Sequence, residues 1–534
     1  MTSDCISFSK IPHTSRLFHD YLFQFQRVST FYSRPPSADW TLNEQTKLHV
    51  PDERRRRVAD VLERQNRTWG AGEPTLSAID RLRRGASAFV TGQQVGLFGG
   101  PLYSLLKAAS VLNFAREMSR SGKPAVAIFW LATEDHDVAE VSSALMPSGA
   151  RELRDFAYAV RSNGAAPVGN VQFGPEIDAL SAEASSLLEP SEAARFVRES
   201  YRTGETFGSA FAKLFTHIFR DIGLILLDPL DAELHAIAAP MLQQAAERAE
   251  ELDEALLARG KQLRNAGYHE QVKVTPASTL LFALQDGERV VMHRGNDGDF
   301  LVGKRKFARA EMLARIAEHP EQFSPNVLLR PVMQDYLLPT VAYFGGPAEI
   351  AYFAQAAVVY EKLLGRVTPV LPRMSATLVS ARMQKLLNRY QLTLPDLFHG
   401  GEHLRELLGS RVLPSDLQQN LDATSAAVQD NMSRLQQSLK GLDPTLVEAA
   451  ERSTRKMQYQ VGKLRSKAAR AELRRNEMLT RDAEEILTSL FPRKTLQERE
   501  IAGIYFLATH GSELLQNLVE VTARQCPGHQ VIHV

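Results

Sequence analysis

The rhythm of apolar and polar positions changes twice along this 534-residue chain, and each change predicts a different architecture. Residues 1–85 are polar and read as mostly helical. Residues 87–91 (SAFVT) then form a short unbroken apolar run, the pattern of a strand buried on both faces. A Gly-rich turn follows, a helical pattern runs from 101 to about 119, and 125–132 (AVAIFWLA) is a second buried strand. Strand, turn, helix and strand in that order predict a βαβ unit in a parallel sheet. The middle divides less cleanly. Residues 224–227 predict a strand and 240–264 an amphipathic helix, while 280–283 and 289–293 predict a β-hairpin turning at 285–287. A hairpin does not belong in a doubly wound core, so part of this region is expected to be an insertion. The sheet pattern resumes with strands at 341–344 and 367–371 around a helix at 347–364.

From about residue 415 the pattern is purely helical. Leu421, Val428, Leu435 and Leu442 recur at every seventh position, with Met432, Leu439 and Leu446 in the companion seam. Gly441 and Pro444 interrupt it. Val447, Thr454, Val461 and Ala468 then form one new row, and Ala450, Met457, Leu464, Ala471 and Met478 the other. Two such seams around a short break predict an antiparallel coiled-coil hairpin, with a pair of core helices as the plainer alternative. The expected division is 1–155 for N-terminal helices and the first half of a Rossmann-like core, and 156–325 for the insertion region with its hairpin. The second half of the core then falls at 326–380, the coiled-coil hairpin at 381–490 and a C-terminal segment at 491–534.

Composition narrows this only a little. The length allows roughly three or four domains of about 150 residues. Hydrophobic residues at 44% and charged residues at 23% describe an ordinary globular protein, and a net charge of +1 asks for neither nucleic acid nor an anionic membrane. The strongest apolar run, 125–132, is far shorter than the ~20 residues of a membrane helix. Cys5 and Cys526 are the only cysteines, fewer than a secreted chain of this length usually carries. With no signal-peptide pattern at the N-terminus, a reducing, cytoplasmic location is expected.

Three constellations carry candidate chemistry. The first is Thr91, Gly92, Gln93, Gln94 and the turn Gly99, Gly100, Pro101, followed by Tyr103 and Lys107. Glycines permit close backbone approach, and proline fits the first turn of a helix whose N-terminus attracts an anion such as phosphate. The spacing is not the dinucleotide GxGxxG fingerprint, and a purely structural turn is the alternative. The second is Glu134, Asp135, His136 and Asp137 at the end of a buried strand, where sheets of this type bind ligands. Carboxylates around an imidazole suit acid/base work or a metal; a plain charged turn is the alternative. The third holds Asn326, Arg330 and Asp335, then Gly345, Gly346 and Glu349, as candidate substrate contacts. Phe-Gly-Gly-Pro occurs at both 98–101 and 344–347, so both turns are expected to flank one cleft. A P-loop-like stretch at 298–305 fails because Arg305 replaces the Mg²⁺-binding hydroxyl residue.

TGQQVGLFGGPLYSLLKA, FWLATEDHD, SPNVLLRPVMQDYLLPTVAYFGGPAEIAYFAQ and FPRKTLQER, in that order from residue 86 to about 500, resemble the BshC family, cysteine ligases of bacillithiol biosynthesis. The resemblance implies an α/β fold: a class I aminoacyl-tRNA-synthetase-like Rossmann core, a connective-peptide-like insertion and a C-terminal antiparallel coiled coil. It also implies the addition of cysteine to glucosaminyl-malate, with small-molecule substrates and neither nucleic acid nor membrane as partner. Residues 99–103 stand where synthetases carry their HIGH motif, without its histidines, and 373–377 (RMSAT) only echo the KMSKS loop, with Ala376 in place of the second lysine. On this reading ATP, with or without Mg²⁺, activates the cysteine carboxyl group. Asp135, His136 and Glu134 are the catalytic candidates, and Arg373 and Ser375 join the first constellation as nucleotide contacts. Arg330 and Arg373 are candidates for carboxylate or phosphate. No zinc is expected, since neither cysteine adjoins a motif. A homodimer through the coiled coil is expected. The rival functions are a nucleotidyltransferase and a degenerate synthetase-like nucleotide-binding or interaction module without ligase activity.

Overall fold

The computed structural model describes residues 3–37, 48, 50–160, 166–295, 297–521 and 526–534. Strand β1 (Ser3–Ile6) pairs only with elements far away in sequence. The core begins with β2 (Ser87–Gln93), helix α1 (Tyr103–Arg120) and β3 (Ala125–Leu131). It continues with β4 (Leu224–Leu227), β5 (Thr340–Gly345), α2 (Pro347–Leu364) and β6 (Val370–Pro372). These strands form one parallel sheet in the order β6-β5-β2-β3-β4. Every residue of β3, β4 and β5 is buried, which explains their continuous apolar runs. The chain builds outward from β2 through β3 to β4, then returns to β5 on the other side. The switch in direction therefore lies between β2 and β5, the place where such sheets open a crevice.

The stretch 156–325 is divided rather than one insertion. It gives β4 to the core and also builds a separate five-stranded antiparallel sheet around the hairpin Ser278–Gln285 and Glu288–Arg294. Pro240 does not open a helix. The helix starts earlier, at Ala232, because the Asp231 side chain caps it by accepting from the Glu233 N–H, and Pro240 lies in its interior.

After β6 the chain enters β7 (Ser375–Val379) and then the helical region. Helices α3 (Ser415–Leu442) and α4 (Thr445–Arg475) form the hairpin that the heptads predict. Short helices, including Gly401–Arg411 and Glu477–Leu490, brace its base. At Gly409 an added Cβ would lie 2.1 Å from the Ala469 carbonyl oxygen, so that contact needs glycine. Further out the hairpin is open: Leu442 is 78% and Leu464 60% exposed. The last strand, β8 (His529–His533), runs parallel to β7 and antiparallel to β1, and Cys5 and Cys526 are joined by a disulfide. Among the described residues no helix is long and apolar enough to cross a membrane.

Candidate functional site

At the carboxyl ends of β2, β3 and β5 lies a cavity of about 590 Å³. Its floor is the switch point itself. Gly92 sits there because a Cβ would stand 2.9 Å from the Trp130 carbonyl oxygen on β3. Lys107 reaches back from α1, as expected, but what it meets is protein. Its Nζ donates to the Gly92 carbonyl oxygen at 2.6 Å and to Gln93 Oε1 at 2.9 Å, and pairs with Glu349 of α2 at 2.6 Å. An ammonium group has three donors, so none is left for a ligand. Lys107 is therefore a strut between α1 and α2, a correction to its expected role as a nucleotide contact. Burial opposes the charge on Glu349, yet Lys107, the Gly346 N–H and the Tyr343 hydroxyl outweigh it and hold the carboxyl below its usual range.

The end of β3 divides its three candidate residues. Asp135 accepts from Gln94 Nε2 at 2.7 Å and from the His136 N–H at 2.7 Å, and faces the cavity half exposed. His136 is 45% exposed, with Arg289 Nη1 at 3.5 Å from its Nδ1. Glu134 points the other way in function. It is buried and pairs with His235 at 3.2 Å, and burial, which would lower the His235 pKa, is overcome by Glu134, so the imidazole titrates above its usual value. Glu134 still lines the cavity, but its ion pair with His235 ties it to the interior more closely than Asp135 or His136.

Three arginines also contribute to the wall. Arg330 is held by Gln334 and Tyr352 at 3.1 Å each, with its guanidinium over Tyr343 and Trp130. Arg373 forms a two-point, fully buried pair with Glu498 at 2.8 and 3.2 Å and lies over the Tyr103 ring. Arg499 is exposed, lies over the same ring, and among the described residues has no acidic partner within salt-bridge distance. The antiparallel hairpin closes one side with Phe282 and Arg289, stacked at 3.9 Å.

Other expected contacts are placed elsewhere. The Thr91 hydroxyl donates to the Phe344 carbonyl oxygen at 2.8 Å and so ties β2 to β5 inside the sheet. Asp335 is buried and accepts from Tyr360 at 2.7 Å and Gln334 at 2.9 Å, away from the cavity. Gly99 packs against Leu214 and Phe215. The turn at 98–101 does not offer an open helix N-terminus: Leu102 N–H donates to Ile501 O at 2.8 Å, and Gly503 N–H to Gly100 O at 3.0 Å. Gly100 and Pro101 instead line an adjoining cavity of about 260 Å³ that shares Gln93, Gln94, Tyr103 and Arg499 with the larger one. The second turn does face the main cavity, through Gly346, Pro347 and Ala348 at the start of α2. Asn326 lines it too, while its side chain caps the Leu328 and Leu329 N–H groups. Gly345 and Ser375 line a third cavity, of about 450 Å³, separated from the first by Gly346–Ala348, Arg373 and Arg499.

Ser375 belongs to a buried network. Its hydroxyl contacts Glu498 at 2.9 Å and His529 Nδ1 at 2.7 Å, and Thr377 contacts His529 Nε2 at 2.8 Å. Burial pushes the His529 pKa down from 6.5 to about 4. Because the folded value is the lower one, the stabilisation from neutral His529 is complete above about pH 6.5 and is lost as pH falls through 4. The full loss is about 3 kcal/mol. Urea unfolding of His529→Gln and the parent between pH 7 and 4 is expected to show a shallower acid decline in the variant. Parallel curves would remove His529 from the acid response.

Arg289, Phe282, Tyr352, Trp130 and Arg499 were not among the sequence candidates. Trp130, Tyr352 and Arg499 nevertheless lie within the FWLATEDHD, SPNVLLRPVMQDYLLPTVAYFGGPAEIAYFAQ and FPRKTLQER stretches, whereas Phe282 and Arg289 carried no signal.

A parallel sheet with a cation-lined cleft at its switch point, followed by a long helical hairpin, defines a Rossmann-like enzyme with a coiled-coil domain. The chain matches the family description "Bacillithiol biosynthesis BshC, N-terminal Rossmann-like domain" over residues 1–374 and "Bacillithiol biosynthesis BshC, C-terminal coiled-coil domain" over residues 376–534, and it belongs to the BshC family. Relatives named "Putative cysteine ligase BshC" include those of Koribacter versatilis, 48% identical with both chains covered completely, and Solibacter usitatus, 38% identical with the same coverage. That of Salinibacter ruber is 34% identical over 97% of this chain and 96% of its own. A crystal structure of a "putative arginyl t-RNA synthetase" from Campylobacter jejuni covers 88% of this chain and 99% of its own, but 10% identity and a TM-score of 0.22 are too low to bear on the fold.

Proposed function

We propose that this chain is a cytoplasmic ligase that joins the carboxyl group of cysteine to the amine of glucosaminyl-malate at the expense of ATP. The observation that supports this best is the convergence of Arg330 and Arg499 with Asp135 on one cavity, in whose wall Arg373 stands paired with Glu498. Its volume of about 590 Å³ falls within the range of small-molecule sites, ~300–1,000 Å³. The substrates carry several anions: a triphosphate, the cysteine carboxylate and the malate carboxylates. Guanidinium groups bind such groups through paired hydrogen bonds. In the wall, Gln94 Oε1 and Trp130 Nε1 are buried without a protein hydrogen-bond partner and are available to a ligand, and Glu134 Oε1 has only its ion pair with His235.

In this reading the cysteine carboxylate attacks the α-phosphate of ATP, giving cysteinyl-adenylate and pyrophosphate. The sugar amine then attacks the acyl carbon, and AMP leaves. Asp135, oriented by Gln94, takes the amine proton. Arg499 and the first turn of α2 face the departing phosphate. Among the described residues no three His, Cys, Asp or Glu side chains are grouped to hold a metal, so magnesium would arrive with the triphosphate.

The test is isotope exchange between pyrophosphate and ATP. Exchange that requires cysteine, and falls at least tenfold in Arg499→Ala, is the expected result. Cysteine-dependent release of ADP and phosphate without exchange would replace the adenylate by an acyl phosphate, and no nucleotide turnover at all would overturn the ligase reading. The exposed seam of the hairpin, including Leu435, Met457 and Leu464, is expected to support a homodimer. A monomeric mass by light scattering at micromolar concentration would count against that.

A further inference from the structure

We propose that the Cys5–Cys526 bond is an exchange site for low-molecular-weight thiols, and that its state sets the order of the cleft's rear wall. The two cysteines are 521 residues apart and are the only ones in the chain, yet the fold brings them together. Gly528 makes the approach possible, since a Cβ there would lie 2.1 Å from the Ile6 carbonyl oxygen and 3.3 Å from Cys5 Sγ. The two sulfurs differ in access. Cys5 is an exposed residue of β1, whereas Cys526 is 7% exposed. An incoming thiolate therefore meets the Cys5 sulfur first.

The bond's position connects it to the cleft through a short series of contacts. Cys526 lies three residues before His529, the first residue of β8. His529 bonds to Ser375 and Thr377, Ser375 bonds to Glu498, and Glu498 holds Arg373 in the cavity wall. On its other edge β8 has only the four-residue β1, from Ser3 opposite Ile532 to Ile6 opposite His529.

In the exchange a thiolate attacks Cys5 Sγ, the Cys5–Cys526 bond breaks, and Cys526 leaves as a thiolate that takes up a proton. A second thiol attacks the mixed disulfide on Cys5, releasing the Cys5 thiol and the reagent's own disulfide. Two small thiols are oxidised and one protein disulfide is reduced. β1 then separates from β8, and the His529 contacts behind Arg373 loosen.

The test needs no turnover assay, so its outcome is independent of the ligase reading. The full chain is equilibrated in buffers of reduced and oxidised glutathione, alkylated with iodoacetamide and weighed by mass spectrometry. Hydrogen exchange is followed at residues 375–379 and 529–533. The expected result is no alkylation in oxidised buffer and two alkylated thiols in reduced buffer, fully reversible, with exchange at 529–533 at least tenfold faster when reduced. Cys526→Ser should carry one glutathione on Cys5 in oxidised buffer; if that variant does not fold, the titration of the parent chain decides alone. Thiols that stay unpaired in oxidised glutathione, reduction that requires denaturant, or exchange rates indifferent to the bond would each overturn the proposal.

Discussion

Lys107→Met is expected to cost about 3 kcal/mol of stability, because it leaves the largely buried Glu349 carboxylate at the cavity wall without its cation. The paired variant Lys107→Met/Glu349→Gln should recover at least half of that loss, since no uncompensated charge remains. It should also regain part of any lost turnover, because all three Nζ donors of Lys107 are used within the protein. Chemical denaturation of the three chains provides the comparison. A single variant within about 1 kcal/mol of the parent would show that the pair is not a strut.

The second large effect concerns chemistry rather than stability. Asp135→Ala is expected to lower product formation by roughly 10²–10⁴, the usual contribution of a positioned acid or base, and His136→Ala to lower it comparably. Both side chains are partly exposed, so the melting temperature should not move. Glu134→Ala should do the opposite, destabilising the fold by leaving His235 buried without its carboxylate. Turnover at the parent level in Asp135→Ala, with unchanged melting, would remove that residue from the reaction.

The parallel core was legible because its strands are buried on both faces and so write themselves as apolar runs, as at 125–131. The hairpin α3–α4 was legible from its seven-residue rows, although Met457, Leu464 and Met478 of one expected row are exposed and Ala469 and Leu473 are buried instead. The failures share a cause as well. Whether the 98–101 turn is open depends on Ile501 and Gly503, four hundred residues later, and no local pattern reports their arrival. Lys107 looks the same in sequence whether its partner is a phosphate or Glu349. Arg289 reads as one more polar position in a hairpin, and only the fold shows that this hairpin closes over His136. At the site, then, residue types were readable and their partners were not.

The pair Arg373–Glu498 has a consequence for how the protein is made. Its members are 125 residues apart in sequence, and the helical hairpin lies between them. A nascent chain on the ribosome can assemble the parallel sheet, through β6, long before Glu498 and Arg499 are synthesised. For that interval Arg373 has no carboxylate, Leu102 has no acceptor for its N–H, and the cleft lacks its rear wall. The candidate cavity is thus completed late in synthesis, after the hairpin has folded back and delivered the segment that follows it. A ribosome stalled within α4 would hold a folded sheet with an unfinished site, and nucleotide affinity should appear only on release.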